Sequence, residues 1–541
     1  MISISPSFSP PPAPPPTISP NVTAEQLAAI NWLDSSGNLI LEAVAGSGKT
    51  FTIIEMCAAI VLKRIALNES PRKIIALMSF NSKVRDELRA RILSRSLSQW
   101  VDVNTVHGFG FSAFKSRFGP RKPNSYKLSD IIDPILKSLK LNWSFSKPVA
   151  QTVSIAKDSG MGLTFPSNSI EWKRIIEYHD ISWDENKLPL SSFINICSDT
   201  FDRSAKDTDK IDFSDMIWFP LKYDLPFPQY DFVFIDEAQD TNATRREVAR
   251  RMGNFNEQEL RNSDKPIGQR KLSRLIAVGD RHQAIYGFTG ADNDALDLIK
   301  ESFQCQELPL SVCFRCDKAI INHARKLVTH IKPHDNAGDG AVTTLEEETF
   351  EKQLFDKQLP NLNTSVILCR KNAPLVSLAF RLLNAQIPCR IEGKDIGLEL
   401  IRLCKKLKPT DKQSLDKALR KHLDEQAQKL PPYKYDVLCD KVSAVTTVLQ
   451  LPSVKSVNEL YSSIETLFSD YDPTLPPKLT LSSVHKSKGL EWPTVYLLGR
   501  NAYMPSKFAT QPWMEEQETN LIYVAITRAM HNLIEVTVTD D

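Results

Sequence analysis

Read for its apolar and polar positions, the chain alternates helical patterns with short apolar, β-rich runs. The runs at 39–44, 73–78, 232–236, 275–278, 365–369, 494–498 and 533–538 are the expected strands. The early ones each lead into a turn and a helix-like segment, which predicts an α/β fold with parallel sheets. Two stretches break that rhythm. Residues 110–208 are helix-prone with Pro, Ser and Asn loops, and residues 396–475 are helical, Lys-rich and nearly free of strands. Both read as helical insertions into α/β cores. Residues 1–20 hold eight prolines and no charged side chain. Proline fixes φ and removes backbone donors, so an extended tail outside the fold is expected there.

Composition narrows the class. At 541 residues the chain has room for about three to four domains of ordinary size. Lys plus Arg is 67 against Asp plus Glu 65, with 42% hydrophobic and 24% charged residues, which excludes disordered, collagen-like and supercharged chains. Near-neutral net charge leaves nucleic acid open, because local charge distribution decides that question. Nine scattered cysteines are not a disulfide framework and fit a reducing compartment. Cys313 and Cys316 form a CxxC without a second pair or His partner at zinc spacing, and read as two small buried thiols. No run approaches the ~20 apolar residues of a membrane span, and no signal-peptide pattern opens the chain. An intracellular setting, cytoplasmic or nucleoid-associated, is expected.

Two segments carry chemistry. In AVAGSGKT (43–50), glycines let the backbone wrap phosphate oxygens at a helix N-terminus. Lys49 would reach the β/γ-phosphates and Thr50 would ligate Mg²⁺. Ala43 stands where the general pattern has glycine. In FVFIDE (232–237), an apolar run ends in adjacent carboxylates. At the C-terminal end of a parallel strand, Asp236 can hold Mg²⁺ and Glu237 can orient or deprotonate the attacking water. Together they predict a P-loop nucleoside triphosphatase.

With DEAQD (236–240) the chain resembles superfamily 1 helicases of the UvrD/Rep family, and further segments follow in that family's order. TAEQ (23–26) resembles the Q motif, AGSGKT (45–50) motif I, SFNSK (79–83) motif Ia and TVHGF (105–109) motif Ib. DFSDM (212–216) is similar to the segment before motif II. GDRHQAIYGFTGA (279–291) resembles motif III, LSVCFR (310–315) motif IV, VHKSKGLEW (484–492) motif V and LIYVAITRA (521–529) motif VI.

The resemblance implies two RecA-like P-loop domains, each with a mostly helical insertion. The expected scheme is a Pro-rich tail over 1–20, domain 1A over 21–109 and 209–300, and insertion 1B over 110–208. Domain 2A would take 301–395 and 476–541, and a shortened insertion 2B would take 396–475. ATP and Mg²⁺ are the implied cofactors. Gln26 would read the adenine edge, while Ala45, Gly46, Ser47, Gly48, Lys49 and Thr50 cradle phosphate. Phe314 would stack on the base and Glu491 would lie on the ribose or γ-phosphate side. Gln283 would sense the γ-phosphate, and Arg315 and Arg528 would be arginine fingers. Phe80, Lys83, Thr105, His107, Phe109, Tyr286, Phe288 and His485 would line the nucleic-acid track, with aromatics stacking bases.

The implied partners are single-stranded DNA and single/double-strand junctions, with no membrane contact, for a monomer or weak oligomer. Residues 72–95 and 402–421, with seven and eight Lys/Arg, read equally as basic edges for nucleic acid or as solvated helix faces. Phe288-Thr289 replaces the family's usual Trp-Arg, and only 172 residues separate Arg315 from Lys488. The implied activity is an ATP-dependent 3′→5′ DNA helicase. A translocase that strips proteins without unwinding, and an ATP-gated sensor subunit of a larger complex, stay open.

Overall fold

A computed structural model describes residues 16–255, 272–287, 290–292, 294–427, 430, 432–452, 454–468, 478–509 and 511–539. Phe288 lies outside the described residues, as do Thr289 and residues 1–15. Residues 16–20 pack on the body: the Ser19 amide donates to Glu55 Oε2 at 2.8 Å, and Arg95 donates to the Thr17 carbonyl. Residues 17 and 19 therefore do not belong to a loose tail.

Six strands form the first sheet: β1 Asn38–Ala43, β2 Ile75–Ser79, β3 Val101–Thr105, β4 Phe232–Ile235, β5 Arg274–Gly279 and β6 Cys305–Leu310. Their order is β3-β2-β4-β5-β1-β6 and every pairing is parallel. A short ladder of β7 Val312–Cys313 and β8 Lys332–Pro333 follows. The second sheet holds β9 Ala341–Glu346, β10 Ser365–Cys369, β11 Cys389–Ile391, β12 Leu479–Ser483, β13 Trp492–Leu498 and β14 Ala529–Thr537. It runs β11-β12-β10-β13-β14-β9, again all parallel. Parallel sheets are covered on both faces, which is why β2 and β10 are buried at every position. Among the described residues no helix is long and apolar enough to cross a membrane.

Three expected boundaries move. β6 pairs with β1 from Asn38↔Cys305 to Ala43↔Leu310, so the first sheet reaches residue 310 and a second domain cannot begin at 301. The boundary at 110 cuts through the helix Val106–Phe118. The stretch that begins there packs around Phe145, Val153, Trp172 and Phe193, in a cluster that also takes in Met216, Trp218 and Phe219 of the helix Asp215–Lys222. The helices of 394–467 share one core with the second sheet itself: Leu400, Leu415, Val445 and Leu460 pack in the same cluster as Leu481 and Tyr496. That stretch is a helical layer of the second domain.

Buried charges tie the first insertion down. Lys127 and Lys157 both bond Asp215 at 2.6 Å, and Lys157 also reaches Asp212 at 2.9 Å. Lys127, Lys157 and Asp215 are fully buried, and deleting one partner of such a network costs about 3–5 kcal/mol. The insertion also touches the other half of the chain. Trp513, at the start of the helix Pro512–Ile526, stacks on Tyr178 at 6.1 Å and donates to its carbonyl at 3.1 Å. Lys434 donates to the Asp180 carbonyl at 3.1 Å.

Candidate nucleotide site and nucleic-acid face

The first sheet delivers its chemistry at one edge. In parallel sheets ligands bind beyond the strand C-termini, and here the loops after β1, β4 and β5 are spatial neighbours because β5 lies between the other two. β1 leads into the turn 44–48, and Gly48 caps the 18-residue helix Lys49–Ala66. Gly48 sits at φ 77° and Gly46 at φ 68°, conformations that favour glycine. A Cβ on Gly46 would also lie 2.7 Å from Arg315 Cβ, so the close approach of the second half demands glycine there.

Lys49 Nζ bonds Glu237 Oε2 at 3.1 Å. Glu237 takes a left-handed conformation at φ 51°, which turns its carboxylate off the end of β4. Burial opposes its ionisation, but Lys49, Lys488 and the Gln239 amide outweigh that and hold it at about 2. Burial, then the Glu237 charge, push Asp236 up to about 7 despite Lys49. The two neighbours are thus split, one fully ionised and one near its midpoint at neutral pH. Gln283 donates to Asp280 at 2.7 Å, and burial lifts Asp280 to about 6.

The second half supplies cations. Arg528 is buried and donates to the carbonyls of Val524 and Leu490 at 3.1 and 3.0 Å. Arg315 pairs with Glu491 and donates to the Thr527 carbonyl at 3.1 Å. Burial, then the charge of Arg315, pull Arg528 down to about 9. A cleft of about 800 Å³ collects Gly46, Lys49, Thr50, Asp236, Glu237, Gln283, Phe314, Arg315, Glu491 and Arg528. The Phe314 ring is 43% exposed and lies 4.8 Å from His334, open to a planar ligand.

These residues fit a nucleoside triphosphate with a divalent cation. Ser47 Oγ is buried without a hydrogen-bond partner, and the 46–49 turn presents helix N-terminal amides. Thr50 and Asp236 offer the oxygen ligands that Mg²⁺ takes.

Two expected ligands sit outside the cleft. Ala45 is fully buried, its amide donating to the Tyr523 hydroxyl at 2.9 Å. Gln26 closes its own helix, accepting from the Thr23 amide at 3.0 Å while its Nε2 lies 3.5 Å from the Ser47 carbonyl. It braces the phosphate turn from behind.

On the expected nucleic-acid face, Phe80 stacks on Tyr286 at 5.8 Å and 7°, with the Arg245 guanidinium 5.1 Å from its ring. Lys488 lies 4.7 Å over Tyr286 and bonds the buried Asp240 at 2.6 Å and the Gln283 carbonyl at 2.7 Å. The Tyr286 hydroxyl donates to the His485 carbonyl at 3.4 Å. A chain of contacts therefore runs from the aromatic pair to Gln283. Burial, with Arg370 and Arg245 respectively, pulls His485 to about 3 and His107 to about 4, so both are neutral at pH 7. Lys83 is exposed at the start of the helix Ser82–Ser94.

One residue expected on that face lies in the core, and another caps a helix. Phe109 is 2% exposed and packs edge-on to Tyr230 in the core, because its place on the first turn of its helix points it at the sheet. Thr105 caps that helix, its hydroxyl oxygen accepting from Gly108 N at 2.9 Å. Arg72, Arg85, Arg91 and Arg95 of the basic stretch are all in ion pairs. The CxxC thiols are buried, and the described residues hold no group of three or more His, Cys, Asp or Glu side chains placed to ligate a metal ion. Sequence reasoning passed over Asp280, Gln239, Tyr523 and Arg245. Asp280, Gln239 and Tyr523 lie inside quoted motifs, and Arg245 alone carried no signal.

Comparison with known families places this geometry. Residues 22–304 match the family described as UvrD/REP helicase N-terminal domain, and residues 452–539 match the UvrD-like helicase C-terminal domain. The chain belongs to the UvrD/REP helicase family. Its two parallel sheets are accordingly RecA-like P-loop folds. Among similar proteins, the probable DNA helicase II homolog of Mycoplasma pneumoniae is 26% identical over 58% of this chain and 43% of its own length. The ATP-dependent DNA helicase PcrA of Staphylococcus epidermidis is 23% identical over 69% and 51%. The ATP-dependent DNA helicase Rep of Salmonella typhimurium is 23% identical over 92% and 88%. The chain spans about half the length of the first two of these relatives.

Proposed function

We propose that this family member is an ATP-dependent DNA helicase or translocase that moves 3′→5′ on single-stranded DNA. The observation that carries the reading is the split cleft. Lys49, Asp236, Glu237 and Gln283 come from the first sheet, and Arg315 and Arg528 come from the second half. Glu237, held ionised, is the base that orients and deprotonates the attacking water. Lys49 binds the terminal phosphates. The two arginines stabilise charge that develops during transfer, and they do so only when both halves close on the nucleotide. Thr50 and Asp236 would hold Mg²⁺, which when bound would supply neutralisation of phosphate charge. Contacts from Phe80 and Tyr286 through Lys488 to Gln283 give bound DNA a route to the hydrolysis site.

The fused helical layer of 394–467 favours translocation over the unwinding that a freely swinging subdomain would drive. Hydrolysis with and without single-stranded DNA, followed by displacement of a 3′-tailed duplex, tests both. DNA should stimulate turnover, and Arg528→Ala should lower it by about 10³-fold or more. Turnover indifferent to DNA and to both Lys49→Ala and Arg528→Ala overturns the motor. Stimulation without strand displacement selects the translocase.

A further inference from the structure

The cysteines of residues 313–316 bracket two cleft residues, Phe314 and Arg315. Cys313 Sγ accepts the Cys316 backbone N–H at 3.4 Å, and the Cys316 thiol donates elsewhere. Cys316 Sγ lies 3.7 Å from the Thr527 carbonyl, the same oxygen that accepts from Arg315. On the other side, a Cβ on Gly46 would lie 2.9 Å from Cys313 Sγ. The pair is therefore wedged between the phosphate turn and the residue preceding Arg528.

A first sulfur that accepts the backbone N–H of the second cysteine is poised as a thiolate in CxxC dithiols. The Cys316 thiol, with nearby amides and Arg315, holds Cys313 down at about 7, while the Cys313 sulfur and burial raise Cys316. Cys305, Cys369, Cys389 and Cys404 are instead pushed by burial up to about 12. Geometry and ionisation single out one pair.

We propose that Cys313 and Cys316 form a reversible oxidation site, closed to a disulfide by exchange with a low-molecular-weight disulfide such as glutathione disulfide, and that closure inactivates the cleft. The Cys313 thiolate attacks one glutathione sulfur, breaking that S–S bond and releasing one glutathione thiolate. Cys316 loses its proton to solvent, attacks the Cys313 sulfur and releases the second glutathione. Two protein thiols are oxidised by two electrons, and one glutathione disulfide becomes two thiols. An S–S bond of about 2.05 Å draws Cys316 off the Thr527 carbonyl, and the turn carrying Phe314 and Arg315 moves with it. Misplacement of an acting group by about 1 Å costs about 10²-fold in rate. Only this second half rests on the hydrolysis reading. Both thiols are buried, so exchange waits on the phosphate turn and the Thr527 turn parting, and is followed as a time course.

The full chain is incubated with glutathione disulfide, quenched with an alkylating agent, digested and weighed. A linkage joining Cys313 to Cys316, two hydrogens lighter and reversed by dithiothreitol, is expected. ATP hydrolysis should fall by at least about tenfold on oxidation and return on reduction. The Cys313→Ala variant should keep its own untreated rate in glutathione disulfide. Both residues alkylated after prolonged exposure, or oxidation confined to other cysteines, overturns the site. A linkage formed with no change in rate overturns the inactivation. If the reduced chain hydrolyses no ATP with DNA present, the function proposed above fails while the mass measurement still decides the dithiol.

Discussion

Lys488→Met removes a buried cation and keeps most of the side chain's volume. In the native structure Lys488 Nζ bonds both Asp240 oxygens, at 2.9 and 2.6 Å, with side-chain exposures of only 8% and 1%. It also donates to the Gln283 carbonyl at 2.7 Å. Deleting one partner of a buried pair costs about 3–5 kcal/mol, because the other charge is left without compensation. Asp240 can limit that cost by taking up a proton. Burial already raises it, with Glu237 adding to the rise and Lys488 and Arg245 opposing it. Losing Lys488 raises it further. A carboxyl raised in the native state binds more protons folded than unfolded, so its penalty is complete above the native pKa and fades as pH falls. Calorimetric melts of wild type, Lys488→Met, Asp240→Asn and the double variant, at about pH 8 and about pH 5.5, read this out. Lys488→Met should melt lower at the higher pH, by about 2–4 °C per kcal/mol lost for a cooperative unit of about 150–250 residues, and approach wild type in acid. The double variant should be less impaired than the sum of the singles. A penalty that is absent, grows on acidification, or adds without coupling refutes the reasoning.

Two further outcomes follow from the site. Because Asp236 titrates at about 7, Mg²⁺ must displace its proton, and affinity of the nucleotide-free chain should weaken by about tenfold per unit below that pH. Calorimetric titration in buffers of different ionisation heat detects the proton, and no release refutes the assignment. Phe109→Ala should cost about 3–5 kcal/mol of stability in denaturant melts as a core truncation. Phe80→Ala should cost less stability but about 1–3 kcal/mol of single-strand affinity by fluorescence anisotropy. The reverse ranking would return Phe109 to the track.

The phosphate chemistry was legible because its demands are local. Glycines at 46 and 48 and paired carboxylates after an apolar run have few other uses in that order. Strand β6 was not legible, since Pro309 and Glu307 read as loop; it is an edge strand, where proline costs no ladder bond. The layer over 394–467 was misjudged for a different reason. An apolar helix face looks the same whether it covers a private core or a neighbouring sheet, and only tertiary packing distinguishes them. Phe80 and Phe109 share a residue type but not a direction. One follows a strand tip and the other faces inward on a first turn. Tyr523 stood inside the quoted segment 521–529, but its role was not legible because its hydroxyl serves a backbone amide 478 positions away.

The helix Pro512–Ile526 is a single rod with work at both ends. Trp513 grips the first insertion at Tyr178, Tyr523 is pinned to the phosphate turn, and the chain emerges at Arg528 inside the cleft. The ten residues from Trp513 to Tyr523 make about 15 Å of rod, so a tilt of about 5° pivoting at Tyr523 sweeps Trp513 through about 1.3 Å. That stroke suffices to part the Trp513–Tyr178 hydrogen bond. A lever of this kind cannot adjust its arginine to a ligand while its far end stays still. The cleft and the first insertion share one moving part.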